Sequence, residues 1–461
     1  MALHTYFTGC RARSIGLAAI LSTIVCMSAP ESKGQNWNGG WNNRGVGGIS
    51  INADGLLENA TPDALGALVR LRREVMQRVP ADLKEAVPLR KISLRCLEAA
   101  LDQCLKAGKL VPDELFYLGG LQEVRYVFAY PEQKDIVLVG PAEGWKVDGR
   151  GNVVGTTTGK PVILLDDLLV ALRTAQSSAR AGITCSIDPT KEGLQQLRAH
   201  VAGLKTIGNP AATGAGIEEA LGKQQITFTG VPATSHFAQV LVGADYRMKR
   251  IAMGFEPSPL GKTLPSFLTM LTASGSGMSN MLPRWWLEPR YESLLRDADG
   301  VAWEFRGSSV QCMTEEDFLS TAGARQHTGK SGGTAQRWAD KMTAHYGELA
   351  VAEPIFGELR NCMELAVVGA LVARENLIEK AGCSLPVLMG SSALKPMELP
   401  APSQVDSKVS MLKKGRNWII SASGGVAINA NGVLEKVRKS DAPVAVRAKA
   451  TPTASAKWCW D

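Results

Sequence analysis

Arg284, Trp285 and Trp286, bracketed by Pro283 and Pro289, are the residues whose types most directly suggest recognition. A guanidinium beside two indoles can stack on a sugar or an aromatic ligand. The competing reading is structural, because paired tryptophans more often anchor a core or a domain interface. Asp166 and Asp167 sit where a strand-like run, Pro161 to Leu165, gives way to a helical one, a position that suits a catalytic acid and also a helix cap. The cap is the favoured reading. Asp245, Tyr246, Arg247, Lys249 and Arg250 alternate charge with Met248 and Ile251 along one helical stretch, where a solvated face is favoured over an anion site.

Ser392 with Lys395, and Ser410 with Lys413, have the Ser-x-x-Lys spacing of penicillin-binding enzymes, and His327, Thr328 and Gly329 match their later substrate-strand motif. The order argues against acyl transfer: His327 precedes both serines, and Pro396 would disturb a helix meant to bring Lys395 beside Ser392. Lys-Thr and Lys-Ser pairs at Gly261–Thr263 and Gly329–Ser331 lack the earlier glycine of a phosphate loop, whose place falls on Glu256 or Ala324. His200, His236, His327 and His345 stand outside any HExxH pattern, and no Cys-x-x-Cys or EF-hand loop is present. Neither a cofactor nor a metal is expected.

The N-terminus places Arg11 and Arg13 before an apolar run, Ile15 to Val25, and small residues near Ser28, the three-part pattern of a signal peptide. Pro30 disfavours cleavage after Ala29, so cleavage after Ser28 is expected, and the run is too short for a span of roughly 20 apolar residues. No second stretch is long enough for a membrane helix. Removing Arg11 and Arg13 lowers the formal charge from +7 to +5, a mild excess that suits anionic cell-wall polymers or lipid headgroups, with ordinary solubility favoured; a cell-envelope polymer or protein is the kind of partner expected. Outside the tail, basic residues are not interleaved with aromatic platforms, so no nucleic acid is expected. Hydrophobic residues at 45% and charged residues at 21% indicate a globular chain, and its 461 residues suggest more than one folding unit.

The strongest internal feature is a repeat. Gly47 to Glu58 reads GGISINADGLLE and Gly424 to Glu435 reads GGVAINANGVLE, identical at eight of twelve positions. Ala-Asp-Gly and Ala-Asn-Gly between apolar runs are hairpin signals, with Gly55 and Gly432 as turn glycines of positive φ. A turn is favoured over a ligand loop for Asp54 and Asn431. The periodicity of Leu94, Leu97, Leu101 and Leu105 predicts a helix within Leu89–Lys109, with Ser93 as cap and Gly108 as stop. Glu123–Tyr130 and Asp135–Gly140 read as paired strands. Then Ile183–Ile187, a helix opened by Asp188 and Pro189, Gln225–Thr229 and helical His236–Arg250 alternate. A second hairpin is predicted around Asp299 and Gly300, and two helices over Gly333–Lys380 broken at Glu353 and Pro354.

The expected fold is mixed α/β, with an N-terminal α/β domain of alternating strands and helices, then a smaller α+β unit and a C-terminal β-hairpin. Its segments are a signal peptide over 1–28, a linker over 29–46, a hairpin plus helix over 47–84, the α/β domain over 85–255 and a connector over 256–282. An α+β helical unit over 283–382, a linker over 383–416, a hairpin repeat over 417–435 and a basic flexible tail over 436–461 complete it. Cys10 and Cys26 fall in the leader, and seven of nine cysteines remain, so at least one cannot pair within the chain. Cys459, between Trp458 and Trp460 in the tail, is the expected free thiol.

Four stretches resemble an uncharacterised family of exported planctomycete proteins, known only as a domain of unknown function. They are LVPDELFYLGGLQEVRYVFAYPEQKDIVLVGPAEGWKVDG, ADYRMKRIAMGFEPSP, PRWWLEPRYESLL and QRWADKMTAHYGELAVAEPIFGELRNCMELAVV. The resemblance spans roughly residues 45 to 380. It implies export and a shared architecture, and carries no activity onto any residue. The expected role is a non-catalytic binding or structural protein of the cell envelope; the alternative is an envelope hydrolase with an unrecognised active site.

Overall fold

Ser93 opens the first long helix as its spacing predicts: the hydroxyl accepts from the Cys96 N–H, capping α1 (Leu94–Lys106), and Gly108 ends it at φ +60°. Residues Leu89–Ile92, within the predicted helical stretch, are not helical. Val87–Ser93 forms a strand, β1, because Ile92 finds a partner in Leu138 across a sheet. A computed structural model provides the structure, describing residues 49–51, 56–59, 70, 73–74, 76–204, 209–274, 282–307, 309–319, 325–327, 329, 332–410, 412–414, 417–419 and 423–451.

The paired strands follow as expected, β2 (Tyr126–Tyr130) against β3 (Asp135–Ala142). Pro161 makes only an isolated bridge, with Val154, before α2 (Leu165–Ala181). Next come β4 (Ile183–Pro189), α3 (Lys191–Gly203), α4 (Pro210–Leu221), β5 (Lys223–Thr229) and α5 (His236–Ala252). Asp188 and Pro189 belong to β4, and Thr190 caps α3 by accepting from Gly193 N–H. Ser235 likewise caps α5, which His236 begins.

Strands β6 (Leu282–Arg290), β7 (Ser293–Arg296), β8 (Ala302–Arg306), β9 (Ser309–Leu319) and β10 (Arg325–His327) lead into α6 (Gly333–Ala344), α7 (Tyr346–Ala352) and α8 (Pro354–Arg374). The β7–β8 hairpin turns at Gly300, φ +63°, and Pro354 opens α8, both where the sequence places them. Then follow α9 (Pro386–Met389), β11 (Gln404–Asp406), β12 (Ser423–Ile428), α10 (Ala430–Leu434), β13 (Arg438–Lys439) and α11 (Ala442–Lys449).

Two sheets organise a mixed α/β fold. One has the order β13-β7-β8-β2-β3-β1, the other β10-β9-β6-β12-β4-β5-β11. Neighbours are antiparallel except β13 with β7 and β12 with β6. The second sheet draws strands from the segments 85–255, 283–382, 383–416 and 417–435, and one hydrophobic core joins Leu138 and Trp303 of the first sheet to Leu287 and Val426 of the second. Those segment boundaries therefore do not separate folding units. The described residues form one compact unit, because the apolar strand faces of these segments cover one another.

Helix α8 is buried along nearly its whole length, as an apolar helix must be, and packs on α2 and α5. Gly369 permits this: a Cβ there would fall on the Ala171 carbonyl of α2.

The predicted linker 383–416 is fastened by buried charge. Both Glu98 oxygens accept from the first-turn amides of α9, Val387 N at 2.7 Å and Leu388 N at 2.9 Å. The Arg173 guanidinium donates to the carbonyls of Val387, Leu388 and Leu394. The tail is corrected too. In residues 436–451, β13 adds to the first sheet and α11 packs against it. The Arg447 guanidinium lies 4.7 Å from the Tyr130 ring centroid, and Tyr130 Oη donates to the Arg447 carbonyl at 2.7 Å.

The repeat adopts two structures. In the first copy, 49–51 and 57–59 pair as a hairpin, with Gly55 outside the described residues. In the second, β12 is taken up between β6 and β4, and Asn429 then caps α10 by accepting from Gly432 N–H at 2.9 Å. Gly432 is helical and is not a positive-φ turn glycine. The C-terminal hairpin is formed instead by 412–414 with 417–419. Partner strands on both sides capture the second copy, which is why like sequence folds differently.

Candidate functional site

Trp285 and Trp286 are adjacent in a strand, so their side chains point to opposite faces. Trp285 is fully buried, 5.0 Å from the rings of both Phe267 and Trp338. Trp286 is half-buried on the other face, with its indole N–H on Glu288 and Arg284 5.3 Å from its ring centroid. Arg284 also pairs with Glu315 at 2.6 Å. The three residues thus do not form one surface cluster. The alternation of polar Arg284 and Glu288 with apolar Trp285 and Leu287 carries this information in the sequence.

The basic stretch of α5 is likewise not a solvated face. Asp245 is wholly buried and pairs with Lys249 at 2.8 Å. Arg247 and Arg250 both hold Glu256, and Arg247 and Arg150 hold the buried Glu353. The reason is that α5 is packed between a sheet and α8. His200 rests against Gly216 of α4, and Ser410 donates to the Met253 carbonyl. Cys459 lies outside the described residues, and the six described cysteines are thiols.

Acid–base residues do converge, at the start of α2. Neither Asp166 nor Asp167 caps that helix, whose cap position is Leu164. Asp167 instead reaches His236, the first residue of α5, with Nδ1 3.1 Å and 3.0 Å from its two oxygens. Cys362, in the middle of α8, is close enough for the same carboxylate to act on its thiol. Asp167 therefore ties α2 to α5, near the N-terminal ends of both, where helix dipoles favour negative charge. Burial pushes the Cys362 thiol well above its usual range, with Asp167 adding to the effect, so it is not a thiolate nucleophile.

Asp166, beside it, accepts from Met397 N–H at 3.1 Å. Burial raises its carboxyl to about 6, opposed by the Met397 amide and reinforced by Asp167. A histidine oriented through Nδ1 by a carboxylate, with a second carboxyl poised near neutrality, is a general acid–base arrangement in principle. Here it is roofed over. Leu399 and Ala401 donate to the Thr234 and Ala233 carbonyls at 2.7 Å each, and Gln239 donates to the Pro400 carbonyl, which lays residues 397–401 across the start of α5. Two clefts lie elsewhere, one beside Tyr246 and Arg250, the other beside Arg296 and Trp303.

Asp166 gives a pH dependence of definite sign. Between the ordinary carboxylate value and about 6 the folded chain holds a proton that the unfolded chain has released, so stability falls as pH rises through this window. Asp166→Asn keeps an acceptor for Met397 and removes the titration. Denaturant unfolding of both proteins from pH 4 to 7 is expected to show the variant gaining on the parent by about 2 kcal/mol toward pH 7. Parallel profiles would contradict this.

Residues 185–267 match the model of a family described as protein of unknown function, DUF1598. The match runs from Cys185 in β4 through α3, α4, β5 and α5 to Phe267, and so includes His236 and Asp245 but neither Asp167 nor Cys362. No curated protein and no solved structure shows significant similarity to the chain. No helix among the described residues is long and apolar enough to cross a membrane.

Proposed function

We propose that the chain is an exported, non-catalytic binding or structural protein of the cell envelope. Export is supported by the charged and apolar leader of residues 1–28, which lies outside the described residues, and by the resemblance to exported planctomycete proteins. The observation that carries the non-catalytic reading is the Asp167–His236 pair. It joins α2 to α5 where residues 397–401 are laid across the start of α5, as Glu98 and Arg173 join others, and a group so used holds shape rather than meeting substrate.

The envelope hydrolase is the second reading, favoured by one observation: the Asp166 carboxyl at about 6 stands beside an oriented histidine. Purified parent and His236→Gln proteins, assayed against ester, amide and glycoside probes, separate the two. The expected result is no turnover that the substitution removes; turnover lost in His236→Gln establishes the hydrolase. For export, N-terminal sequencing of the native protein is expected to begin after Ser28. An intact Met1 in the cytosolic fraction would overturn it.

A further inference from the structure

The edge of the first sheet holds a cleft that neither reading above uses. The register of β7 sets Arg296 opposite Trp303 on one side and opposite Lys439 on the other, so the three side chains share a face. That row continues inward through Val127 and Leu138 into the core. Above its outer end sit Arg374 and Glu375 from the end of α8 and Glu435 beyond α10. Together they enclose a cleft of about 220 Å³.

Two residues that line this cleft each carry a buried hydrogen-bond donor with no acceptor among the described residues. Trp303 is 1% exposed and its indole N–H is buried and unbonded, and the Nε–H of Arg296 is in the same condition. Buried donors are rarely left so, and two on directly opposed residues lack the same thing, an oxygen acceptor. The lining adds a charge preference, with Arg296, Arg374 and Lys439 against Glu375 and Glu435, one positive charge in excess. The existing bonds of both guanidinium groups are long: Arg296 to Glu375 at 3.5 Å, and Arg374 to the Asn431 carbonyl at 3.4 Å. Each retains capacity for a charge-assisted bond.

We propose that this cleft binds a small oxyanion, seated on Arg296 and the Trp303 indole N–H and flanked by Arg374 and Lys439. An acceptor that is also anionic answers both the unmet donors and the charge. The carbonyl end of α8 disfavours a nearby anion, which places the seat on the sheet side of the cleft. At about 220 Å³ the cleft is smaller than sites for drug-sized molecules, so the ligand is inorganic phosphate or a compact phosphate- or carboxylate-bearing molecule. By bridging β7, β8 and β13 it also fastens residues 435–439 to the body of the protein. The proposal deepens the non-catalytic binding reading and rests on it only in requiring no turnover.

The full mature chain is titrated calorimetrically with sodium phosphate and, separately, sodium acetate, at ionic strength held constant with sodium chloride. The indole N–H resonances are followed in parallel by ¹H–¹⁵N NMR, with that of Trp303 assigned through Trp303→Phe. Saturable binding of either anion with a shift of the Trp303 signal is expected, and the anion that saturates identifies the phosphate or the carboxylate source. Arg296→Gln is expected to weaken binding at least tenfold. Arg374 and Lys439 are exposed, so Arg374→Gln and Lys439→Gln decide the matter if Arg296→Gln does not fold; each is expected to weaken binding about threefold. Binding by neither anion, equal affinity in all folded variants, or an unmoved Trp303 signal overturns the proposal. Failure here leaves the His236→Gln comparison unaffected, and turnover there leaves this titration unaffected.

Discussion

Trp285→Ala is expected to lower unfolding stability by about 3–5 kcal/mol, whereas Trp286→Ala, one residue away, costs about 1 kcal/mol or less. Trp285 is 0% exposed and makes edge-on contacts with Phe267 and Trp338, so truncation leaves a cavity that a sheet and two helices cannot close. Each lost ring pair adds about 0.5–1.5 kcal/mol to the transfer cost. Trp286 keeps only a partly exposed stack with Arg284 and a bond to Glu288. Denaturant midpoints of the two variants provide the measurement. Equal losses would mean that the side chains do not segregate to the two faces of β6.

The second large effect is expected at Glu98. In Glu98→Ala two buried amides at the start of α9 lose their acceptor, at about 1–3 kcal/mol each, for a total of about 2–6 kcal/mol. Glu98→Gln retains one acceptor oxygen and is expected to lose about half as much. Hydrogen exchange at Val387 and Leu388 tests the mechanism separately from global stability. Both amides should exchange faster in the alanine variant under native conditions, while those of β2 and β3 follow only the global change. Unchanged protection at 387 and 388 would show that the carboxylate is not their partner. The same polar framework explains why a segment rich in proline and read as a linker is ordered: Glu98 takes the amides of α9, Arg173 its carbonyls, and Asp166 the Met397 amide.

Local rules suffice for several elements. Ser93 before a leucine period marks α1, Pro354 marks α8, Gly300 marks the β7–β8 turn, and the apolar runs on either side of Pro131–Lys134 mark β2 and β3. Each depends on groups a few residues apart, caps, turn glycines and side-chain periods, whose energetics are present in the sequence itself. The mixed α/β class follows from the same signals.

Partner choice is not local, and it decided the rest. Two segments identical at eight of twelve positions became a hairpin and a strand-plus-helix because only the second lies between β6 and β4. Asp167 meets a histidine 69 residues away and a thiol on a third helix, which converts an expected cap into a brace. The supposed domains share one sheet, since a strand exposing an apolar face takes whichever partner covers it, regardless of distance along the chain. The charged row on α5 is at least half-buried for the same reason: the partners of its arginines, Glu256 and Glu353, come from outside the helix. The sequence by itself determined where the chain turns and which faces are apolar; the tertiary structure alone decided which face meets which, and so which polar groups are used in holding the fold.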